Sequence, residues 1–197
     1  MTNATIPLFP LNTVLFPGGE LPLRIFEPRY LSMVAHCVRE ETCFGIVLIE
    51  SGREVGGEAR THAIGTLARI VDWCPLPGNM LGISVRGEQR FRILAQHVQR
   101  DYLQVAEVSV LSPEPQAVVP PEYEEVIAYL DRSSDEGEFG AKRSHDSARD
   151  ASWVGFRLAE YLAFSPLQQQ LMLELRDPID RLERLMPILS ALFRQKR

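Results

Sequence analysis

Five prolines, Pro7, Pro10, Pro17, Pro22 and Pro28, stand within the first 28 residues of this 197-residue chain. Each fixes its own φ and lacks an amide hydrogen, so the stretch excludes a long helix and confines strands to short pieces or sheet edges. Short apolar runs, Val14-Leu15-Phe16 and Leu21-Pro22-Leu23, lie between them, and Pro17-Gly18-Gly19 marks a chain reversal. Pro28 then occupies the position of a first helical residue. Tyr30, Val34, Cys37 and Val38 follow at spacings that share one helix face, predicting a helix near residues 28–39.

From residue 44 to 111 the hydrophobic period changes to two. Phe44 to Ile49 and Gly65 to Val71 read as well-buried strands, while Leu81, Ile83 and Val85 alternate with Gly82, Ser84 and Arg86. Phe91 and Ile93 alternate likewise with Arg90 and Arg92. Between Tyr102 and Leu111 the apolar parity switches, from Leu103 and Val105 to Ala106, Val108 and Val110, as a β-bulge or a strand turning a barrel corner would require. Several short strands with turns between them predict a small, strongly curved sheet or barrel over residues 1–115.

Residues 112–121, with prolines at both ends, read as a linker. A helical subdomain is expected over 116–197. Tyr123, Val126, Ile127 and Leu130 share a face, and the polar stretch near 133–150, with Gly137 and Gly140, reads as a mobile loop. A helix around Trp153 to Ala163 presents Trp153, Phe156 and Tyr161 as bulky anchors. Ser165-Pro166-Leu167-Gln168 has the form of a capping box with proline at the first helical position. Asp177-Pro178 opens a last helix with Ile179, Leu182, Leu185 and Met186 inward, and Pro187 is expected to kink or divide it.

The formal net charge is −5 and is shared evenly, about −2 before residue 116 and −3 after it. Neither half has the positive excess that neutralising a phosphate backbone demands, so nucleic acid is a poor default partner. Three cysteines, Cys37, Cys43 and Cys74, form no even framework and no CxxC pair, which favours a reducing cytoplasmic setting. No basic segment followed by an apolar run opens the chain, and no apolar stretch approaches the roughly 20 residues that span a bilayer. No membrane association is expected.

Motifs that would carry catalysis are missing. The only lysines are Lys142 and Lys196, and neither sits in the glycine-rich loop that cradles nucleotide phosphates. Gly82-Ile83-Ser84-Val85-Arg86-Gly87 has one residue too many after the serine for a nucleophile elbow, and strand alternation accounts for Ser84 as an outward residue. A Ser–Lys dyad lacks a placed base. His36, Cys37 and Cys43, with His62 or Cys74, match no zinc-ligand spacing, and Cys37 falls on the apolar helix face. No metal, cofactor or catalytic residue is assigned.

Five ordered blocks nonetheless carry a resemblance. Ile6 to Leu11, Val14 to Gly18 and Leu21-Pro22-Leu23-Arg24-Ile25-Phe26-Glu27-Pro28-Arg29-Tyr30 resemble the opening signature of the Lon protease N-terminal domain. Ile64 to Val71 and Val85 to Leu94 are similar to its two later barrel motifs, Asp101 to Val108 to the strand that follows, and Gln170 to Leu175 with Arg181 to Leu185 to its helical end. The resemblance implies an α+β fold, a PUA-like β pseudobarrel followed by a C-terminal helical bundle. It also implies the role that this region serves in Lon, recognition of unfolded or degron-bearing polypeptides, here without the ATPase and Ser–Lys protease modules. The expected function is therefore a non-catalytic polypeptide-binding module, an adaptor in protein quality control.

Candidate peptide contacts are Phe9, Phe16, Phe26, Arg29 and Tyr30, because proline-rich segments leave aromatics near the surface; the competing reading has them closing the barrel and holding its first helix. An alternative function is RNA binding by the PUA-like barrel, using Arg86, Arg90 and Arg92 as a positive strip. A small-molecule pocket ranks last, since no nucleophile–base pair or cofactor loop is present. Ligand identity and oligomeric state are not set by the sequence.

Overall fold

The structure, a computed structural model, describes residues 2–54, 59–123, 127 and 149–195. The expected helix through Val126 and Leu130, and residues 133–148 of the expected loop, lie outside the described residues. The chain divides into two units, Met1–Ser112 and Pro113–Arg197. Among the described residues no helix is long and apolar enough to cross a membrane.

The first unit is a seven-stranded, mostly antiparallel sheet with one helix. Its elements are β1 (Thr2–Leu11), β2 (Glu20–Ile25), α1 (Pro28–Arg39), β3 (Phe44–Gly52), β4 (Ala59–Thr61), β5 (Ile64–Leu76), β6 (Met80–Val98) and β7 (Gln104–Val110). The strand order is β1-β7-β6-β5-β3-β4, β2 pairs with β6, and β1 also pairs with β3 in parallel, so five strands form a hydrogen-bonded ring.

β1 is longer than its prolines predict. β7 lies beside it over Thr2–Leu8 and β3 over Leu8–Leu11, so Pro7 and Pro10 each stand where only one neighbour is present. Each proline is locally at an edge, where its missing donor is tolerated. β6 is likewise one 19-residue strand where two are expected. It passes β2 with its first half and β7 with its second. At the crossover Gly87 is pinned to the first turn: Gly18 N donates to its carbonyl and its own N donates to Gly19, both at 2.8 Å. A Cβ on Gly87 would stand 2.1 Å from the Phe16 carbonyl oxygen, which requires glycine here.

The parity switch in β7 has a different cause from the one expected. β7 pairs with β1 without a break, and the bulge is in β6, between Ile93 and Ala95. β7 itself is buried on both faces: Val105 joins the core with Phe9, Ile25, Tyr30, Phe44 and Ile83, while Ala106 and Val108 join a second core with Ile6, Leu8, Val47 and Phe91. Apolar residues are then required at both parities. Helix α1 buries Tyr30, Met33, Val34 and Cys37 against the first core, whereas Val38, expected on that face, is 43% exposed.

The second unit contains α2 (Ala151–Tyr161), α3 (Pro166–Glu174) and α4 (Pro178–Gln195). Asp150 caps α2 by accepting Trp153 N at 2.7 Å. Phe156 is buried, and Trp153 and Tyr161 are partly buried. The capping box of α3 is present in full, with Ser165 Oγ accepting Gln168 N and Gln168 Oε1 accepting Ser165 N. Asp177 Oδ1 accepts Ile179 N at 2.8 Å at the start of α4. That helix continues through Pro187 undivided, with Leu182, Leu185 and Leu189 buried.

The segment expected to be a linker is built into this unit. Val118 bridges Asp150, Val119 is buried, and Glu114 forms a buried ion pair with Arg181. Arg181 also donates to the carbonyls of Met172 at 3.0 Å and Leu175 at 2.9 Å, and stacks 3.8 Å from the Phe156 ring centroid. Gly155 leaves the space for it: a Cβ there would meet Arg181 Cδ at 3.1 Å.

Candidate functional site

Alternation along β2, β6 and β5 puts three apolar rows on one sheet face. The registers align Leu21, Val85 and Ile70, then Leu23, Ile83 and Trp73, then Ile25, Leu81 and Pro75. Ile25, Ile83 and Val85 are buried in the core that α1 covers, and Leu21, Leu23, Ile70 and Leu81 pack partly against it. Burial ends at the β5 side, where Trp73 is 57% exposed. β5 continues through Pro75 to Leu76, beyond the Val71 end that the sequence pattern predicts, and pairs there with Met80 across a turn in which Gly78 and Asn79 have positive φ. Phe26 follows directly on Ile25, the partner of Leu81, and is 51% exposed. Two large aromatic side chains are thus left partly in water at the hairpin end of one small sheet.

Of the five sequence-predicted contacts, the structure leaves Phe26 open and places the other four in packing or pairing roles. Phe9 and Tyr30 are buried with ring centroids 4.1 Å apart, Phe9 lies 6.2 Å from Phe44, and Phe16 is fully buried. Phe9, Tyr30 and Phe44 belong to the core that packs α1 on the sheet. Burial also pushes the Tyr30 hydroxyl up to about 12, with the Arg29 guanidinium pulling the other way and Glu27 and Glu54 reinforcing the rise. The Arg29 side chain is mostly buried, pairs with Glu27 at 2.8 Å, donates to the Tyr102 carbonyl at 2.8 Å and lies 4.5 Å above the Tyr30 ring. It ties the start of α1 to the β6–β7 turn.

The positive strip does not assemble. Arg86 is held by Glu20 at 2.6 Å, its cross-strand neighbour Arg69 is held by Glu88, and Arg90 is buried against expectation. Arg92 keeps an exposed position, where the strand register sets it opposite Ile64 and Ser109. Cys43 donates weakly to Glu88 at 3.5 Å; burial first, then the Glu88 charge, pushes its thiol up to about 11, and Arg69 holds the Glu88 carboxyl below its ordinary value. A thiol so placed is a poor nucleophile. Among the described residues no three His, Cys, Asp or Glu side chains converge on a metal position.

Sequence reasoning missed Trp73, because the strand it predicts ends at Val71. The parity of Leu81, Ile83 and Val85, carried across the turn, is the signal that finds it.

A family model described as the ATP-dependent protease La (LON) substrate-binding domain matches residues 5–191. A crystal structure of a Lon N-terminal domain protein from Xanthomonas campestris is 35% identical, with a TM-score of 0.78 covering 93% of this chain and 98% of that one. The N-terminal domain of Mycobacterium avium complex Lon protease, 20% identical, shares the fold with a TM-score of 0.67 over 95% of this chain and 98% of that one. A Lon protease of Anaeromyxobacter dehalogenans is 32% identical over 102 residues, which are 51% of this chain and 12% of that protein. Protein cereblon of Gallus gallus is 30% identical over 119 residues, 58% of this chain and 25% of that protein. The chain therefore spans only a small part of the length of these full-length relatives.

Proposed function

The chain belongs to the Lon substrate-binding domain family, and from that premise we propose that it is a non-catalytic module that binds unfolded or degron-bearing polypeptides in the cytoplasm, as an adaptor in protein quality control. On this reading the five-strand ring is a PUA-like pseudobarrel that serves as a rigid frame. The observation that carries the proposal is the apolar face of β2, β6 and β5, which runs from the core into water at Trp73, with Phe26 at the same end of the sheet. Large aromatics left half in water at a rigid surface are the residues that dominate binding energy when a partner desolvates them. The sequence supplies no phosphate-binding loop and no nucleophile with a placed base, so binding is the chemistry that remains.

The test is a fluorescence titration with labelled α-lactalbumin, reduced and carboxymethylated so that it stays unfolded. Saturable binding at about tens of micromolar or tighter is expected, weakened about tenfold by Trp73→Ser or Phe26→Ser at unchanged thermal stability. No saturable binding by the native sequence ends the proposal.

A further inference from the structure

We infer that the outer edge of β6 at Leu94–Val98 takes an extended, uncharged polypeptide segment as an added β-strand. This rests on the polypeptide-binding reading and names where and how the backbone of the bound chain is held.

Hydrogen-bond bookkeeping along the ring identifies the edge. Ile93 N donates to the Ala63 carbonyl at 2.8 Å, and His62 N then turns to Leu48, so β5 leaves β6 at this point. Beyond it, among the described residues, the backbone of Leu94–Val98 pairs on one side only, with β7; on the other side the one printed contact is between side chains, Thr61 Oγ1 donating to Gln96 Oε1 at 3.5 Å. Gln99 N donates to the Leu103 carbonyl at 2.8 Å at the hairpin end, where the Gln99 carbonyl accepts Tyr102 N at 2.9 Å. The register runs unbroken from Val98 opposite Gln104 back to Ala95 opposite Glu107. Alternation of antiparallel pairs then directs the backbone groups of His97 and Ala95 toward β7 and those of Gln96 and Val98 away from it.

The open edges of β5 and β2 are blunted. The free side of β5, Arg69–Leu76, carries a bulge between Ile70 and Asp72, then Pro75, and Asp72 Oδ1 already accepts Trp73 N at 2.8 Å. β2 carries Pro22 near its middle. These are the devices by which proteins keep an edge from pairing. Leu94-Ala95-Gln96-His97-Val98 has no proline, aspartate, glutamate, lysine or arginine; its one irregularity is the bulge at its entry. Leu94 and Val98 are 52% and 43% exposed. Unpaired backbone groups at strand spacing fit only another extended backbone, and the uncharged side chains favour an uncharged segment with an apolar residue beside Leu94 or Val98. Five residues fall far below the roughly 20–30 per side of a stable protein interface, which suits a short captured segment and not a dimer.

The experiment uses the full chain and the same unfolded α-lactalbumin. Amide exchange is followed residue by residue with and without the saturating probe, and binding is repeated with Gln96→Pro and Val98→Pro, which remove outward donors and leave the β7 bonds. Expected are protection of the Gln96 and Val98 amides with no change at Ala95 and His97, and affinity at least fivefold weaker in both variants. Native-sequence binding without protection at Gln96 and Val98 overturns the edge assignment and leaves the polypeptide-binding reading standing, whether or not the variants fold. Absence of any saturable binding overturns both. Self-association at about 100 μM that Gln96→Pro abolishes overturns the assignment in favour of a second copy as the occupant.

Discussion

Removing the carboxylate of Glu114 tests the packing of the helical unit most sharply. Arg181 is fully buried and Glu114 nearly so, and both guanidinium Nη atoms reach the Glu114 oxygens. In Glu114→Ala the guanidinium keeps its bonds to the carbonyls of Met172 and Leu175 and its stack on Phe156, but its charge loses its counter-ion in a dry site. Breaking a buried pair from one side costs about 3–5 kcal/mol. Ser152, whose hydroxyl donates to Glu114, also loses its acceptor. Replacing both partners by Glu114→Leu with Arg181→Met removes the stranded charge. It leaves two α3-end carbonyls without their donor, at about 1–3 kcal/mol each if water cannot reach them. The double variant is therefore expected to lose less than the two single losses added together, the non-additivity that neighbouring sites show. Urea unfolding followed by Trp153 fluorescence, in a Trp73→Phe background, reads this unit. A loss below about 1 kcal/mol for Glu114→Ala would refute the reasoning.

Three further outcomes are expected. Burial first, opposed by Arg157, raises the Glu160 carboxyl to about 7; its proton is then held more tightly folded than unfolded, so stability falls as pH rises from about 4.5 to 7, and Glu160→Gln should flatten that slope in thermal melts at pH 5 and 8. Gly87→Ala forces the Phe16 carbonyl away from the β6 crossover and should destabilise the sheet unit by about 2 kcal/mol or more in urea unfolding, as backbone clashes do. Thiol labelling at neutral pH, followed by mass spectrometry, should modify exposed Cys74 first and leave Cys37 and Cys43 slow, their thiols raised by burial; prompt labelling of Cys43 contradicts its placement.

What was legible in the chain was what is decided locally. Ser165-Pro166-Leu167-Gln168 and Asp177-Pro178 announce their helices because the capping atoms are within a few residues of the amides they serve. α1 is legible too, although at 100° per residue Val38 lies at the margin of the face centred on Tyr30, Val34 and Cys37, and Met33 takes the inward place. What depends on distant partners was not legible. The staggering of β7 and β3 along β1 makes Pro7 and Pro10 acceptable in a ten-residue strand. Burial of β7 on both faces mimics a bulge, and the demand of Arg181 for a carboxylate turns a proline-rich connection into part of a core. The burial of three of the aromatic candidates also depends on distant partners: Phe9 and Phe16 stand next to prolines and Tyr30 two residues after one, yet all three are buried, while Phe26 is exposed.

That closure has a consequence for how the molecule is made. β1 leaves the ribosome before the other strands of this unit, yet its long antiparallel partner is β7, about a hundred residues later. Until residue 110 has emerged, β1 can find only its short parallel pairing with β3, and Ile6, Leu8 and Phe9 stay in water. Contacts so far apart in sequence make folding slow. The ring of the sheet unit can therefore close only after β7 has been made, near the end of that unit's own synthesis.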